Sequence, residues 1–144
     1  MAVNQLTLST LNKTMKKLYY LPMTCELLHV GHLEVIKKCQ KKGKLIVGLL
    51  TDKALEGYKD CVIPFKDRKK ILEFGGLNVV AQGSLDPTIQ LLRYKANYLV
   101  SGDGFEIEEL DACKKTLCKP IIIGKKINST TNIKERLCKI TIHK

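Results

Sequence analysis

Two histidines lie three residues apart in a stretch of the chain whose residue types suit phosphate chemistry. His29 and His32 enclose Gly31, and they are two of the three histidines in the chain. Side chains three residues apart share one side of a helix, and a helix start offers unpaired N–H groups to an anion. Gly31 allows a ligand to approach the backbone closely. The pair therefore predicts two hydrogen-bond donors facing a phosphoryl group; two unrelated histidines at a helix start are the alternative. No third ligand is evident, so we predict no protein-bound metal site.

The hydrophobic pattern predicts that these histidines lie between a strand and a helix. The strand covers residues 17–23, and the helix ends at Gly43 with its buried side marked by Leu33, Val35, Ile36 and Cys39. Further strands, each followed by a helical segment, are predicted at 44–50, 78–82, 98–101 and 120–123. This alternation predicts an α/β, Rossmann-like fold, with a doubly wound five-stranded parallel sheet and helices on both faces. Ligands bind at the carboxyl ends of strands in such a sheet, which is where the histidines fall.

The length and composition indicate one globular domain. The chain has 144 residues, 44% of them hydrophobic, which suits a single domain at residues 17–144 after a polar N-terminal extension at residues 1–16. No apolar run approaches the roughly 20 residues of a membrane-spanning helix. The six cysteines form no C-x-x-C pair and no signal-peptide pattern is present, so we expect reduced thiols and a cytoplasmic location.

The net charge of +11 suggests anionic partners. Nearly all of the basic residues are lysines, whereas specific reading of nucleic-acid bases favours arginine. We therefore expect nucleotides or phosphorylated metabolites as partners and no nucleic acid. A solvated lysine surface, or a nonspecific and salt-sensitive affinity for nucleic acid, is the alternative.

The segment L-L-H-V-G-H at residues 27–32 resembles the H-x-G-H signature of the nucleotidyltransferase superfamily. More narrowly, it resembles the cytidylyltransferases that act on glycerol 3-phosphate, ethanolamine phosphate and choline phosphate, and the related domains that activate phosphonates. The resemblance covers residues 17–137. It continues in order through L-L-T-D at 49–52, Y-K at 58–59, D-R at 67–68, V-S-G-D-G-F at 100–105 and I-N-S-T-T-N-I-K-E at 127–135.

This resemblance implies a reaction in which CMP is transferred from CTP to a small anionic phosphate or phosphonate acceptor, with release of pyrophosphate. It implies catalytic roles for His29, His32 and Lys59. It implies nucleotide contacts from a larger set of residues: Thr24, Gly31, Arg68, Gly102, Asp103, Ser129 and Thr130. Mg²⁺ would be carried mainly by the nucleotide phosphates, and the family precedent implies a homodimer.

Several positions depart from the family pattern. Met23 stands where the family has glycine, Gly104 where it has aspartate, and Gly124 where it has arginine. The segment that forms the family's dimer contact reads G-G-L-N-V-V at residues 75–80. These differences leave two other functions open, an adenylyltransferase that uses ATP and a non-catalytic relative that binds nucleotide.

Some of the candidate residues also have plainer interpretations. Lys59 is one lysine of many in a loop, and Asp103 between two glycines is typical of a turn. Residues 129–131 would equally cap a final helix at 129–139, in competition with phosphate for the same N–H groups.

Overall fold

Parallel strands alternate with helices in the computed structural model, which describes residues 16–124. The strands are β1 (Leu18–Met23), β2 (Lys44–Leu50), β3 (Asn78–Gln82), β4 (Tyr98–Ser101) and β5 (Lys119–Ile122). The helices are α1 (Val30–Lys42), α2 (Asp52–Leu55), α3 (Phe65–Phe74), α4 (Thr88–Arg93) and α5 (Ile107–Thr116). Every strand pairing is parallel, which confirms the predicted five-stranded, Rossmann-like sheet. The predicted final helix lies outside the described residues.

The strands lie in the order β3-β2-β1-β4-β5. The chain therefore runs outward from β1 to β3 and then crosses back to β4 and β5. Strand order reverses between β1 and β4, and loops at the carboxyl ends of two such strands diverge to leave a crevice. The segment that carries both histidines follows β1, so it lies at this crevice.

Two hydrophobic clusters cover the two faces of the sheet. On β1 the side chains of Tyr19 and Leu21 point to one cluster and that of Tyr20 to the other, as the alternation along a strand requires. The first cluster buries residues of α1 and α3: Val35, Ile36, Cys39 and Leu72. The second buries residues of α4 and α5: Leu91, Ala112 and Cys113. Helices therefore lie on both faces, as predicted.

One predicted core residue of α1 is exposed. Leu33 was expected on the buried side of this helix, but 44% of its surface remains accessible. Successive helical residues are rotated by about 100°, and the inward direction is set by Val35, Ile36 and Cys39, which are all buried. Leu33 lies well to the side of that stripe, so this prediction was wrong.

A polar bridge crosses the central strands. Tyr20 on β1 donates its hydroxyl hydrogen to Oε1 of Gln82 on β3 at 2.6 Å, and Gln82 Nε2 donates to the carbonyl oxygen of Ser84 at 2.8 Å. The bridge passes over Gly48 of β2, where a Cβ atom would lie 1.9 Å from the Tyr20 hydroxyl oxygen. Glycine at this position therefore makes room for a hydrogen bond between two strands that are not neighbours.

Residues 16–124 contain no membrane-spanning helix, no metal-ligand cluster and no disulfide. No helix in this range is long and apolar enough to cross a membrane. No group of three His, Cys, Asp or Glu side chains there is placed to hold a metal ion. The cysteines of this part of the chain are free thiols.

Candidate active site

Three segments meet at the carboxyl edge of the sheet. Because β1 lies between β2 and β4, the segment after β1 is flanked by the segments that follow those two strands. The first segment carries Thr24, His29, Gly31 and His32, the second carries Lys59, and the third carries Gly102 and Asp103. The structure thus brings the described candidate residues other than Arg68 to one edge. Ser129 and Thr130 lie outside the described residues.

The two histidines build the first turn of α1. His29 is the N-cap residue, with extended backbone angles, and its Nδ1 accepts a hydrogen bond from the Gly31 N–H at 3.1 Å. His32 Nδ1 accepts from the His29 N–H at 3.3 Å, which completes a reciprocal capping box. The two rings stack with their centroids 3.9 Å apart. The spacing therefore fixes both imidazoles against the helix start.

This capping arrangement determines which nitrogen of each ring carries a proton. A ring nitrogen that accepts a hydrogen bond is unprotonated, so a neutral imidazole with an accepting Nδ1 carries its hydrogen on Nε2. Nε2 lies across the ring from the cap. In the neutral form, His29 and His32 consequently each leave one N–H donor, on Nε2, that the helix cap does not use.

The surroundings of His32 keep its imidazole neutral. Burial, the neighbouring His29 and the positive charge of Lys59 lower the pKa of His32 to about 4, while the carboxylate of Asp103 acts in the opposite direction. At neutral pH His32 is therefore a hydrogen-bond donor without a charge. The same effects show that Lys59 and Asp103, on the two flanking segments, lie close enough to act electrostatically on this ring.

Arg68 lies beneath the site and binds the chain itself. It is 0% exposed. Its Nη1 donates to the carbonyl oxygens of Thr24 at 2.7 Å and Leu50 at 2.8 Å, and its Nε donates to that of Ile63 at 3.0 Å. Its Nη2 pairs with Asp52 Oδ1 at 2.8 Å. One guanidinium thus ties the carboxyl ends of β1 and β2 to the segment that enters α3.

The resemblance implies a nucleotide contact from Arg68, and that contact stays a prediction. In the structure the guanidinium is wholly buried and its donors bond to the chain itself. Asp52 completes the network, since its carboxylate also accepts from the Phe65 N–H at 3.1 and 3.2 Å. Two hydrogen bonds lower the pKa of the Asp52 carboxyl. The larger effect comes from Arg68 and the smaller from the Phe65 N–H.

A serine holds the turn after β4. Ser101 Oγ accepts hydrogen bonds from the N–H groups of Gly104 at 3.0 Å and Asp103 at 3.3 Å, and its hydroxyl donates to the Gly104 carbonyl oxygen. Gly104 has a φ of 150°, which a side chain would strain. The glycine at this departure from the family pattern therefore has a local conformational cause.

Local packing explains two further departures. Met23 is 7% exposed, and its side chain packs in the hydrophobic core. Gly124 has a φ of 111°, and a Cβ atom there would lie 2.8 Å from Cγ2 of Val35 on α1. Any side chain at this position would force the buried Val35 side chain to shift.

Sequence reasoning missed two residues at the rim of the site. Tyr58, beside Lys59, donates its hydroxyl hydrogen to Oε1 of Glu106 at 3.0 Å. Burial, reinforced by this hydrogen bond and by the neighbouring glutamates, raises the pKa of Tyr58 to about 12. The hydroxyl therefore keeps its proton at neutral pH. The adjacency of Tyr58 to Lys59 is a signal that could have pointed to Tyr58. Nothing in the sequence pointed to its partner Glu106, which lies directly before α5.

Comparison with known proteins supports the fold. No protein-family model matches the chain, and no curated protein matches its sequence. A lipopolysaccharide core biosynthesis protein from Thermoplasma volcanium is similar in structure, with a TM-score of 0.63 and 21% identity over 76% of this chain and 97% of that chain. A protein of unknown function from Archaeoglobus fulgidus has a TM-score of 0.65 and 20% identity over 81% of this chain and 94% of that one. A pantoate–β-alanine ligase from Francisella tularensis has a TM-score of 0.48 and 16% identity, over 80% of this chain and 62% of that one.

Proposed function

We propose that the chain is a nucleotidyltransferase of the cytidylyltransferase kind, which transfers CMP from CTP to a small phosphate or phosphonate acceptor. The observation that carries this proposal is the helix cap made by His29 and His32 at the point where strand order reverses. Both Nδ1 atoms are already occupied by the helix cap, so each ring has one defined donor for a ligand. The resemblance of the sequence around this pair to the H-x-G-H signature supports the same reaction.

In the proposed reaction an oxygen of the acceptor's phosphate attacks the α-phosphorus of CTP in line. The bond from the α-phosphorus to the oxygen that bridges to the β-phosphorus breaks, and pyrophosphate leaves with that electron pair. His29 and His32 donate hydrogen bonds to the α-phosphoryl oxygens as negative charge shifts during the transfer. Such preorganised donors stabilise a transition state because they need no reorganisation at the moment of reaction.

The neighbouring groups have complementary roles in this proposal. Lys59 neutralises the triphosphate or the acceptor, and the turn at Gly102 and Asp103 lines the nucleotide pocket. Ser129 and Thr130 are proposed to contact the nucleotide phosphates. Mg²⁺ is proposed to arrive on those phosphates, since it keeps most of its waters and takes few protein ligands. A homodimer is proposed from the resemblance alone.

The test is release of pyrophosphate in the presence of Mg²⁺, with CTP and ATP each crossed with a panel of small phosphates and phosphonates. We expect release that requires both CTP and one class of acceptor. Release with ATP alone would keep nucleotidyl transfer and overturn the choice of base. Binding of CTP with no release across the panel would contradict the proposed enzyme and favour a protein that only binds nucleotide.

A further inference from the structure

A hydrogen bond between side chains joins the two segments that flank the histidines. Tyr58 lies in the segment after β2 and Glu106 directly before α5, 48 positions further along the chain. Because β1 lies between β2 and β4 in the sheet, a bond between these segments spans the crevice at the carboxyl end of β1. His29 and His32 begin α1 at that same place.

Both ends of this bond are anchored. The N–H groups of Tyr58 and Lys59 donate to the carbonyl oxygen of Leu55 at 2.9 and 3.0 Å, which fixes the loop on the end of α2. At the other end, the Glu106 N–H donates to Glu109 Oε1 at 2.8 Å in the first turn of α5. The Tyr58–Glu106 bond therefore connects two ordered supports.

The bond also bears on the position of Lys59. Its Nζ lies over the Tyr58 ring, 5.5 Å from the centroid, where a cation is attracted by the face of the ring. Lys59 is otherwise an exposed lysine with many accessible rotamers. A tyrosine held at its hydroxyl end thus offers this ammonium a fixed surface, and the charge of Lys59 acts electrostatically on His32.

We propose that Tyr58 is a positioning residue, whose hydrogen bond to Glu106 holds the Lys59 ammonium beside His32 to receive the phosphates of the nucleotide. This inference rests on the proposed function for the identity of the anion. Its physical basis is entropy: a lysine that is restricted before binding loses less rotamer freedom when the phosphate arrives. The tyrosine itself does not touch the reacting atoms.

The first experiment measures amide hydrogen exchange of residues 56–63 in the full chain without ligand. Tyr58→Phe keeps the ring and removes the donor, and Glu106→Ala removes the acceptor, so both should exchange at least several-fold faster. Glu106→Gln keeps an acceptor oxygen and should resemble the wild type. Glu108→Gln removes a neighbouring exposed charge of α5 and serves as the matched control. Unchanged exchange in Tyr58→Phe would contradict the bond's role in holding the loop.

The second experiment measures binding of inorganic pyrophosphate, which any nucleotidyl transfer from a nucleoside triphosphate releases. We expect Tyr58→Phe to bind it about 3–10-fold more weakly, the usual effect of losing one hydrogen bond. The double variant Tyr58→Phe/Lys59→Met should bind no more weakly than Lys59→Met alone, because Tyr58 acts through Lys59. Full additivity would overturn the inference. Pyrophosphate binding that follows this pattern without CTP turnover would support the positioning role and reject the proposed function.

Discussion

The first turns of α1 and α3 both carry side chains that the sequence singled out, and the structure uses them in opposite ways. His29 and His32 keep part of their surface accessible, use Nδ1 for the helix cap and leave Nε2 for a ligand. Arg68 is wholly buried, and its donors bind carbonyl oxygens and Asp52. A scarce, chemically suited residue near a site can therefore either meet the substrate or hold the loops that meet it. The exposure of the side chain is what separates the two cases.

The largest expected effect is on activity, at the histidines. His29→Ser keeps a residue that caps helices well but removes the Nε2 donor, and His32→Ala removes the second donor. Each should lower kcat for pyrophosphate release by about 10²–10³, the usual loss for one transition-state donor. For His29→Ser, which keeps a capping side chain, the free energy of unfolding measured by urea titration should change little. Near-normal turnover in either variant would contradict their role.

The next largest effect is on stability, at Arg68. Arg68→Met removes charge-assisted hydrogen bonds to three carbonyl oxygens, at least one of them buried. We expect the free energy of unfolding to fall by about 3 kcal/mol or more. Arg93→Met, the same change on an exposed arginine of α4, is the matched control and should cost less than about 0.5 kcal/mol. Equal denaturation midpoints for Arg68→Met and Arg93→Met would contradict the structural role of Arg68.

A smaller effect separates the two functions of His29. His29→Ala removes both the Nε2 donor and the cap, whereas His29→Ser removes only the donor. The two variants should be equally inactive, but the alanine variant should be less stable by about 1 kcal/mol. Urea titration of both variants measures this difference in the free energy of unfolding. An alanine variant as stable as the serine variant would show that the His29 cap contributes nothing.

The last expected effect is a dependence of stability on pH that originates at His32. Its pKa is about 4 in the fold, against an ordinary value of 6.5. Below pH 6.5 the unfolded chain therefore binds a proton at His32, whereas the folded chain binds this proton only at about pH 4 and below. The contribution of the neutral His32 ring to the free energy of unfolding is complete above pH 6.5 and is lost as the pH falls to about 4. Between pH 6.5 and about 4, the free energy of unfolding of His32→Ala should therefore fall less than that of the wild type. Equal slopes of this free energy against pH would contradict a neutral His32 in the fold.

The fold was predictable because local signals sufficed. Alternation of apolar runs with helical periodicity gave five parallel strands, and the histidine spacing placed a helix start where α1 begins. The position of Leu33 was not predictable from the same pattern, because the inward direction of α1 depends on the sheet beneath it. Contacts between distant segments were equally hidden.

Arg68 and Tyr58 illustrate what a single sequence withholds. Three of the four hydrogen-bond partners of Arg68 are backbone carbonyl oxygens, which lie 44, 18 and 5 positions before it in the chain. A backbone oxygen leaves no signature in the residue type. The glycine at position 124 likewise has its cause in the approach of Val35. Such causes become visible only when the sheet order brings the segments together.

The central claim is that His29 and His32 present Nε2–H donors to the nucleotide. Long-range ¹H–¹⁵N correlation spectra of the imidazoles test it most directly, recorded on the free protein and with Mg²⁺ and CTP. We predict both rings in the tautomer protonated on Nε2 at pH 7.5, with both Nε2 resonances shifting as CTP saturates the site. Protonation on Nδ1, or Nε2 resonances that CTP leaves unchanged at saturation, would contradict the account.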